Sequence, residues 1–188
     1  MSSLELAAVA FGIANIVLLV RRSIWNYPFG MAMVALYALI FFRAKLYGEA
    51  GLQVFFFVVN AYGWALWHRA KGEDAPVAVR WLSWPARAAW LLGTAAVALN
   101  LGWVMHRFTD AALPFADASV TGMSIAAQFL LSYRRIENWV LWIVIDCVSV
   151  GLYVIRGLHL TAGLYVLFLA LSVLGLREWI AASKAQGK

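Results

Sequence analysis

The chain has 188 residues, of which 64% are hydrophobic and 13% charged, with a mean hydropathy of +0.80 and a formal net charge of +6. So little polar sequence cannot cover a soluble core, and the composition is that of a polytopic membrane protein. The basic excess does not mark nucleic-acid binding, because Lys and Arg bunch in short segments between apolar stretches, where they set membrane topology.

Seven apolar stretches have the length of roughly 17 to 25 residues that a helix needs to span a bilayer. The first, 4–20, lacks a basic leader and runs into Arg21-Arg22, the pattern of an uncleaved first span rather than a signal peptide. The second covers 27–43 and the third 47–67, which carries Gln53, Asn60 and Trp64 at i, i+7 and i+11. Pro76 and Pro85 then break the helix before a fourth span at 86–105, which reads as a connector. The fifth, 116–132, places Thr121, Ser124 and Gln128 on one stripe; the sixth is 138–155 and the seventh 160–181. Eleven Lys and Arg fall on the side holding the C-terminus and the loops after spans one, three and five, against four on the other. The C-terminus is therefore expected in the cytoplasm and the N-terminus outside.

Displaced by 112 positions without gaps, residues 13–67 fall on 125–179 with fifteen identities, among them Leu19/Leu131, Arg22/Arg134, Asn26/Asn138, Gly63/Gly175 and Trp67/Trp179. Shared apolar composition alone would give roughly four or five, so the pattern points to a duplication. The expected organisation is a first three-helix unit in 1–67, a linker with the fourth span in 68–112, and a second three-helix unit with a cytoplasmic tail in 113–188. A single intervening span gives both copies the same orientation. Such 3+1+3 parallel repeats are related by an axis along the membrane normal, with substrate bound near the midplane.

The sixth span carries the chemistry. Asn138, Trp142, Asp146, Ser149 and Tyr153 share an arc of roughly 80° at helical periodicity. A charge near a span centre costs roughly 2.5 to 3.5 kcal/mol, so this face should look into the bundle or a wet cavity. Asp146 is read either as part of a substrate path or as a structural helix–helix hydrogen bond. Its counterpart in the first copy is Val34, and that of Trp142 is Gly30, whereas Asn138 is matched by Asn26. Both asparagines sit at the cytoplasmic entry to a span, where they either close the inner mouth or cap a helix. Tyr165 and Ser172 stand in the seventh span where Gln53 and Asn60 stand in the third. Amides and hydroxyls among tryptophans suit a planar, hydroxylated, neutral or cationic ligand, not a bare ion or a phosphate. Trp139, Trp81 and Trp84 also suit an interfacial belt.

No enzyme signature accompanies this face: the chain has no G-x-S-x-G, no H-E-x-x-H, no Gly-rich phosphate loop and no Lys in the last span for a Schiff base. No catalytic residue and no cofactor are expected. His68, His106 and His159 lie on different loops at no ligand spacing, so no metal site is expected, and lone Cys147 reads as a packing residue.

The segments "NYPFG" (26–30), "FFRAKLYGEAGLQVFFFVVNAYGWALW" (41–67), "LPFADASVTGMSIAAQFLLSYRRIENWVLWIVID" (113–146) and "GLYVLFLALSVLGLREW" (163–179) resemble the PnuC family of bacterial vitamin transporters. The resemblance covers both three-span units. It implies an all-α membrane protein of seven transmembrane helices in a SWEET-like 3+1+3 arrangement, set in the bacterial inner membrane. It also implies uptake of nicotinamide riboside by facilitated diffusion, trapping by cytoplasmic phosphorylation, and assembly as a homo-oligomer, a trimer. The family's W-x-x-W element falls on Trp139 and Trp142, implying stacking on the nicotinamide ring, its duplicated asparagines on Asn26 and Asn138, and its glutamine on Gln53. Similar proteins carry thiamine, riboflavin or deoxynucleosides, and a non-transporting ligand sensor is the alternative of a different class.

Overall fold

The computed structural model describes residues 3–43, 47–70, 77–109, 113–155 and 159–186, and they contain seven helices. These are α1 (Ser3–Val20), α2 (Asn26–Arg43), α3 (Tyr47–Ala70), α4 (Trp84–Phe108), α5 (Pro114–Ser132), α6 (Glu137–Ile155) and α7 (His159–Gln186). Every expected span is a helix, with α7 running on past the expected end at 181. Of the two prolines expected to break the chain, Pro76 lies outside the described residues and Pro85 sits in the first turn of α4, where its missing N–H costs nothing.

Five of the helices, α1, α3, α4, α6 and α7, are long and apolar enough to cross a membrane by themselves. The other two dilute their apolar sequence: α2 opens on Asn26, Tyr27 and Pro28 and closes on Arg43, and α5 carries Asp117, Ser119, Thr121, Ser124 and Gln128. Helices of that kind tolerate a bilayer when their polar stripe faces protein.

The chain forms two compact units. The first comprises Met1–Val79, Leu131–Arg134 and Arg177–Lys188, and in it α2 packs against both α1 and α3. α1 ends in a left-handed turn at Arg22 (φ 54°), closed by Arg22 N–H to Leu19 O at 2.9 Å and Ser23 N–H to Leu18 O at 2.9 Å. That is a Schellman motif. The end of α5 repeats it 112 residues later: Arg134 has φ 59°, and the N–H groups of Arg134 and Arg135 donate to Leu131 O and Leu130 O, each at 2.8 Å.

Within the first unit these two turns are bonded crosswise. Trp67 Nε1 donates to Leu131 O and Trp179 Nε1 donates to Leu19 O, both at 3.2 Å, with the two indole centroids 6.0 Å apart. Both tryptophans are fully buried. Residues equivalent by the 112-residue displacement therefore make equivalent bonds in opposite directions.

The second unit comprises Arg80–Leu130 and Arg135–Leu176. α4 leaves Leu91, Leu92, Leu99, Trp103 and Phe108 exposed, a surface fit for lipid. Its contact with α5 uses small residues, since Gly102 lies under the Phe115 ring and a Cβ at Gly122 would only just touch Ala98, at 3.4 Å. Ahead of α4, Arg80 O accepts the Ile136 N–H at 3.1 Å. Glu137 Oε1 accepts both Leu82 N–H at 3.0 Å and Arg87 Nε–H at 2.7 Å. Arg87 in turn lies 5.1 Å from the Trp81 ring centroid and 4.7 Å from that of Trp84. The connector is thus held to the start of α6 by a charge-assisted pair between cation–π contacts.

Candidate substrate site

In the second unit, α6 and α7 face each other through three rungs, two of them built from the predicted stripe. At one end Tyr153 and Tyr165 lie with ring centroids 5.1 Å apart and planes inclined at 41°, and Phe168 meets Tyr165 edge-on at 5.7 Å. In the middle, Ser172 Oγ–H donates to Asp146 Oδ2 at 2.9 Å. At the other end the Trp139 indole covers Gly175 so closely that a Cβ there would lie 2.5 Å from Cζ2 and 2.6 Å from Cε2. Asp146 and Trp139 are 4% and 1% exposed, while Trp142 between them is half-buried.

The first unit repeats one rung and alters another. Tyr27, equivalent to Trp139, packs on Gly63, where a Cβ would lie 2.6 Å from Tyr27 Cε1 and 2.7 Å from Ser132 Oγ. Tyr27 also meets Trp67 edge-on at 5.3 Å. The middle position pairs no charge: Val34 is buried where Asp146 stands in the second copy, and Asn60, in the place of Ser172, donates to Phe56 O of its own helix at 2.9 Å. Asn60 Oδ1 lies over Gly30, 3.3 Å from where a Cβ would be.

The two asparagines behave alike. Asn26 Nδ2 donates to Ser23 O at 2.7 Å and Asn138 Nδ2 to Arg135 O at 2.6 Å. In each case the backbone N–H donates to the same carbonyl at 3.1 Å. Each amide therefore closes the entry turn by donating backwards, whereas an N-cap oxygen would accept from an N–H of the first turn. Both Oδ1 atoms are buried and take no hydrogen bond among the described residues. Asn15 Nδ2 adds a bond to Asn26 O at 2.6 Å in the first unit.

Of the remaining predicted residues, Gln53 is half-buried on α3 and Gln128 buried on α5. The hydroxyls that share the α5 stripe are turned to their own helix: Thr121 donates to Asp117 O at 3.0 Å and Ser124 to Val120 O at 2.8 Å. An apolar groove of about 430 Å³ between α4 and α5, lined by Trp90, Val97, Ile125 and Phe129 among others, holds none of the predicted site residues. Near the α1–α2 turn, burial pushes the Arg22 guanidinium down from its usual range, opposed by the nearby Glu178 carboxylate, and Arg22 Nη1 reaches Val77 O at 3.5 Å.

Of the stripe that sequence periodicity draws on α6, the structure brings Asp146 and Tyr153 against α7. Periodicity does not find Gly175, whose part is played by the absence of a side chain, nor the Glu137–Arg87 pair that spans 50 residues. The repeat held the only signal for Gly175, through its match with Gly63.

Apolar helices that bury a carboxylate and aromatic rings where two of them meet suit a multi-span carrier of a small molecule. A family model described as nicotinamide mononucleotide transporter matches residues 2–181. The nicotinamide riboside transporter PnuC of Escherichia coli (strain K12) is 31% identical over an alignment covering 100% of this chain and 89% of that protein. The riboflavin/roseoflavin transporter RibM of Streptomyces davaonensis is also 31% identical, over 94% of this chain and 84% of its own. A crystal structure of the vitamin B3 transporter PnuC superposes with a TM-score of 0.79 at 30% identity, covering 97% of this chain and 82% of that one. The chain belongs to the nicotinamide mononucleotide transporter family. It is a membrane transporter, not an enzyme.

Proposed function

We propose that this transporter takes up nicotinamide riboside by facilitated diffusion across the bacterial inner membrane, with trapping by cytoplasmic phosphorylation. The observation that carries the proposal is α6 itself, where Trp142 and Asp146 share the stripe and Trp139 stands within two turns of Asp146. Nicotinamide riboside is a planar cationic ring on a neutral sugar. Tryptophan faces attract such a ring and a buried carboxylate offsets its charge. The same carboxylate repels a phosphate, which favours the riboside over the mononucleotide. Gln53, Asn60, Gln128 and Tyr165 supply donors and acceptors for the ribose hydroxyls and the carboxamide.

The two three-span units, in 1–67 and 113–188, are parallel copies joined by the span in 68–112, and Asn26 and Asn138 hold the turns that open and close the inner mouth. The crossed tryptophan bonds at those turns support this reading. The N-terminus faces outward and the C-terminus the cytoplasm, as the distribution of Lys and Arg favours. The working form is a homo-trimer. Similarity to a riboflavin transporter favours riboflavin as the second reading. Uptake of labelled nicotinamide riboside, thiamine and riboflavin into proteoliposomes tests the assignment. Preferential accumulation of nicotinamide riboside to the external concentration, without an ion gradient, is the expected result. Preference for riboflavin would replace the substrate, accumulation above equilibrium would overturn facilitated diffusion, and no uptake of any of the three would leave a ligand sensor.

A further inference from the structure

Helical serines and threonines in this chain have a default partner. On α5, Ser119, Thr121 and Ser124 each donate to the carbonyl four residues back, at 2.7, 3.0 and 2.8 Å. That is what a hydroxyl does in a helix when nothing better is near. Ser172 departs from it, because its hydroxyl donates across to Asp146 Oδ2 at 2.9 Å, and both residues are buried, at 4% exposure each. Its counterpart Asn60 returns to the default and bonds Phe56 O in its own helix. In the copy that carries the carboxylate, this hydroxyl crosses to the neighbouring helix.

The consequence for Asp146 is geometric. One oxygen is tied to α7, which fixes the carboxylate's rotation about its Cβ–Cγ bond, and among the described residues Oδ1 takes no hydrogen bond. A carboxylate oxygen held in one orientation is what a cationic or hydroxylated ligand needs, since no ordering is left to the moment of binding. One turn further along α7, Gly175 admits the Trp139 ring, so both α6 side chains are seated by the same face of α7.

We propose that Ser172 is a positioning residue of the substrate site, holding the Asp146 carboxylate in the orientation that receives the ligand. The assignment rests on Asp146 contacting the substrate, and the test separates the two. Nicotinamide riboside binding to the purified full chain is measured by calorimetry for Ser172→Ala, Ser172→Thr, Asp146→Asn and the Asp146→Asn/Ser172→Ala double variant, with the melting temperature of each in detergent. Ser172→Ala should weaken binding about tenfold, or about 1.4 kcal/mol. Ser172→Thr, which keeps the hydroxyl, should recover most of that loss. In the Asp146→Asn background, itself weakened about tenfold or more, Ser172→Ala should add little, because a group acting through another shows coupling. If Asp146→Asn weakens binding but Ser172→Ala does not, the role of Ser172 is overturned and the reading of Asp146 stands. Additive losses in the double variant, or equal losses of binding and melting temperature in the Ala and Thr variants, also overturn it. Wild-type affinity in Asp146→Asn overturns both.

Discussion

A methyl group at Gly175 tests how tightly Trp139 is held. In Gly175→Ala the new Cβ would lie 2.5 and 2.6 Å from two indole carbons, against the 3.4 Å at which ordinary contact begins, so ring and helix must part by roughly 0.9 Å. Trp139 cannot swing clear as the end of a flexible side chain could, because its ring is rigid and 1% exposed. Overpacking of that kind costs about 1–3 kcal/mol. Replacing a helical glycine by alanine also returns about 1 kcal/mol of propensity, which would mask part of the loss. Gly163, in the same helix, supplies the control, since a Cβ there meets nothing within 4 Å. At about 2–4 °C per kcal/mol for a chain of this size, Gly175→Ala should melt about 2–12 °C below Gly163→Ala, the propensity gain being common to both. Thermal unfolding of the two purified variants in one detergent gives that difference, and calorimetry on the same samples should show weaker nicotinamide riboside binding only for Gly175→Ala. Equal melting temperatures and equal affinities would refute the view that Gly175 seats Trp139.

Three further outcomes are expected. Trp67→Phe and Trp179→Phe each remove an indole N–H while Leu131 O and Leu19 O keep their turn bonds, so each should cost about 0.5–1.5 kcal/mol, and the pair should be non-additive because the rings touch; melting temperatures of the single and double variants read this directly. Glu137→Gln keeps an acceptor for Leu82 N–H but loses the charge facing Arg87, and should destabilise by about 1 kcal/mol, whereas Glu137→Ala, which strands both donors, should cost about 2–3 kcal/mol by the same assay. Trp142→Ala removes a half-buried ring proposed to stack on the ligand, and should weaken binding by about 1–3 kcal/mol in calorimetry with little change in melting temperature.

Helices and their stripes were legible because hydrophobicity and periodicity are local. Seven apolar runs separated by charges could be read along the chain, and Asp146 could be placed with Asn138 and Trp142 because residues on one helix share a face by arithmetic alone. Partners on other helices were not legible. Ser172 follows Asp146 by 26 residues, and neither spacing nor residue type says that its hydroxyl leaves its own helix. The bonds of Trp67 and Trp179 span 64 and 160 residues, and a tryptophan near a span end reads first as an interfacial anchor. Trp81 and Trp84 invited that reading too, and the structure gives them Arg87 to hold. The repeat was the one long-range signal, and it named both members of each equivalent pair without showing that they bond crosswise.

That crossing bears on how such a chain could have arisen. If the three-span units are copies of one ancestor, the separate half would carry one tryptophan donor and one turn carbonyl, each suited to the other but placed to meet it only on a neighbouring molecule. Two copies would satisfy both bonds at once by reciprocal exchange, as an isologous homodimer does. Fusion of the genes would then preserve a dimer interface inside a single polypeptide. The contacts of Trp67 with Leu131 and of Trp179 with Leu19 are what such an interface would leave behind.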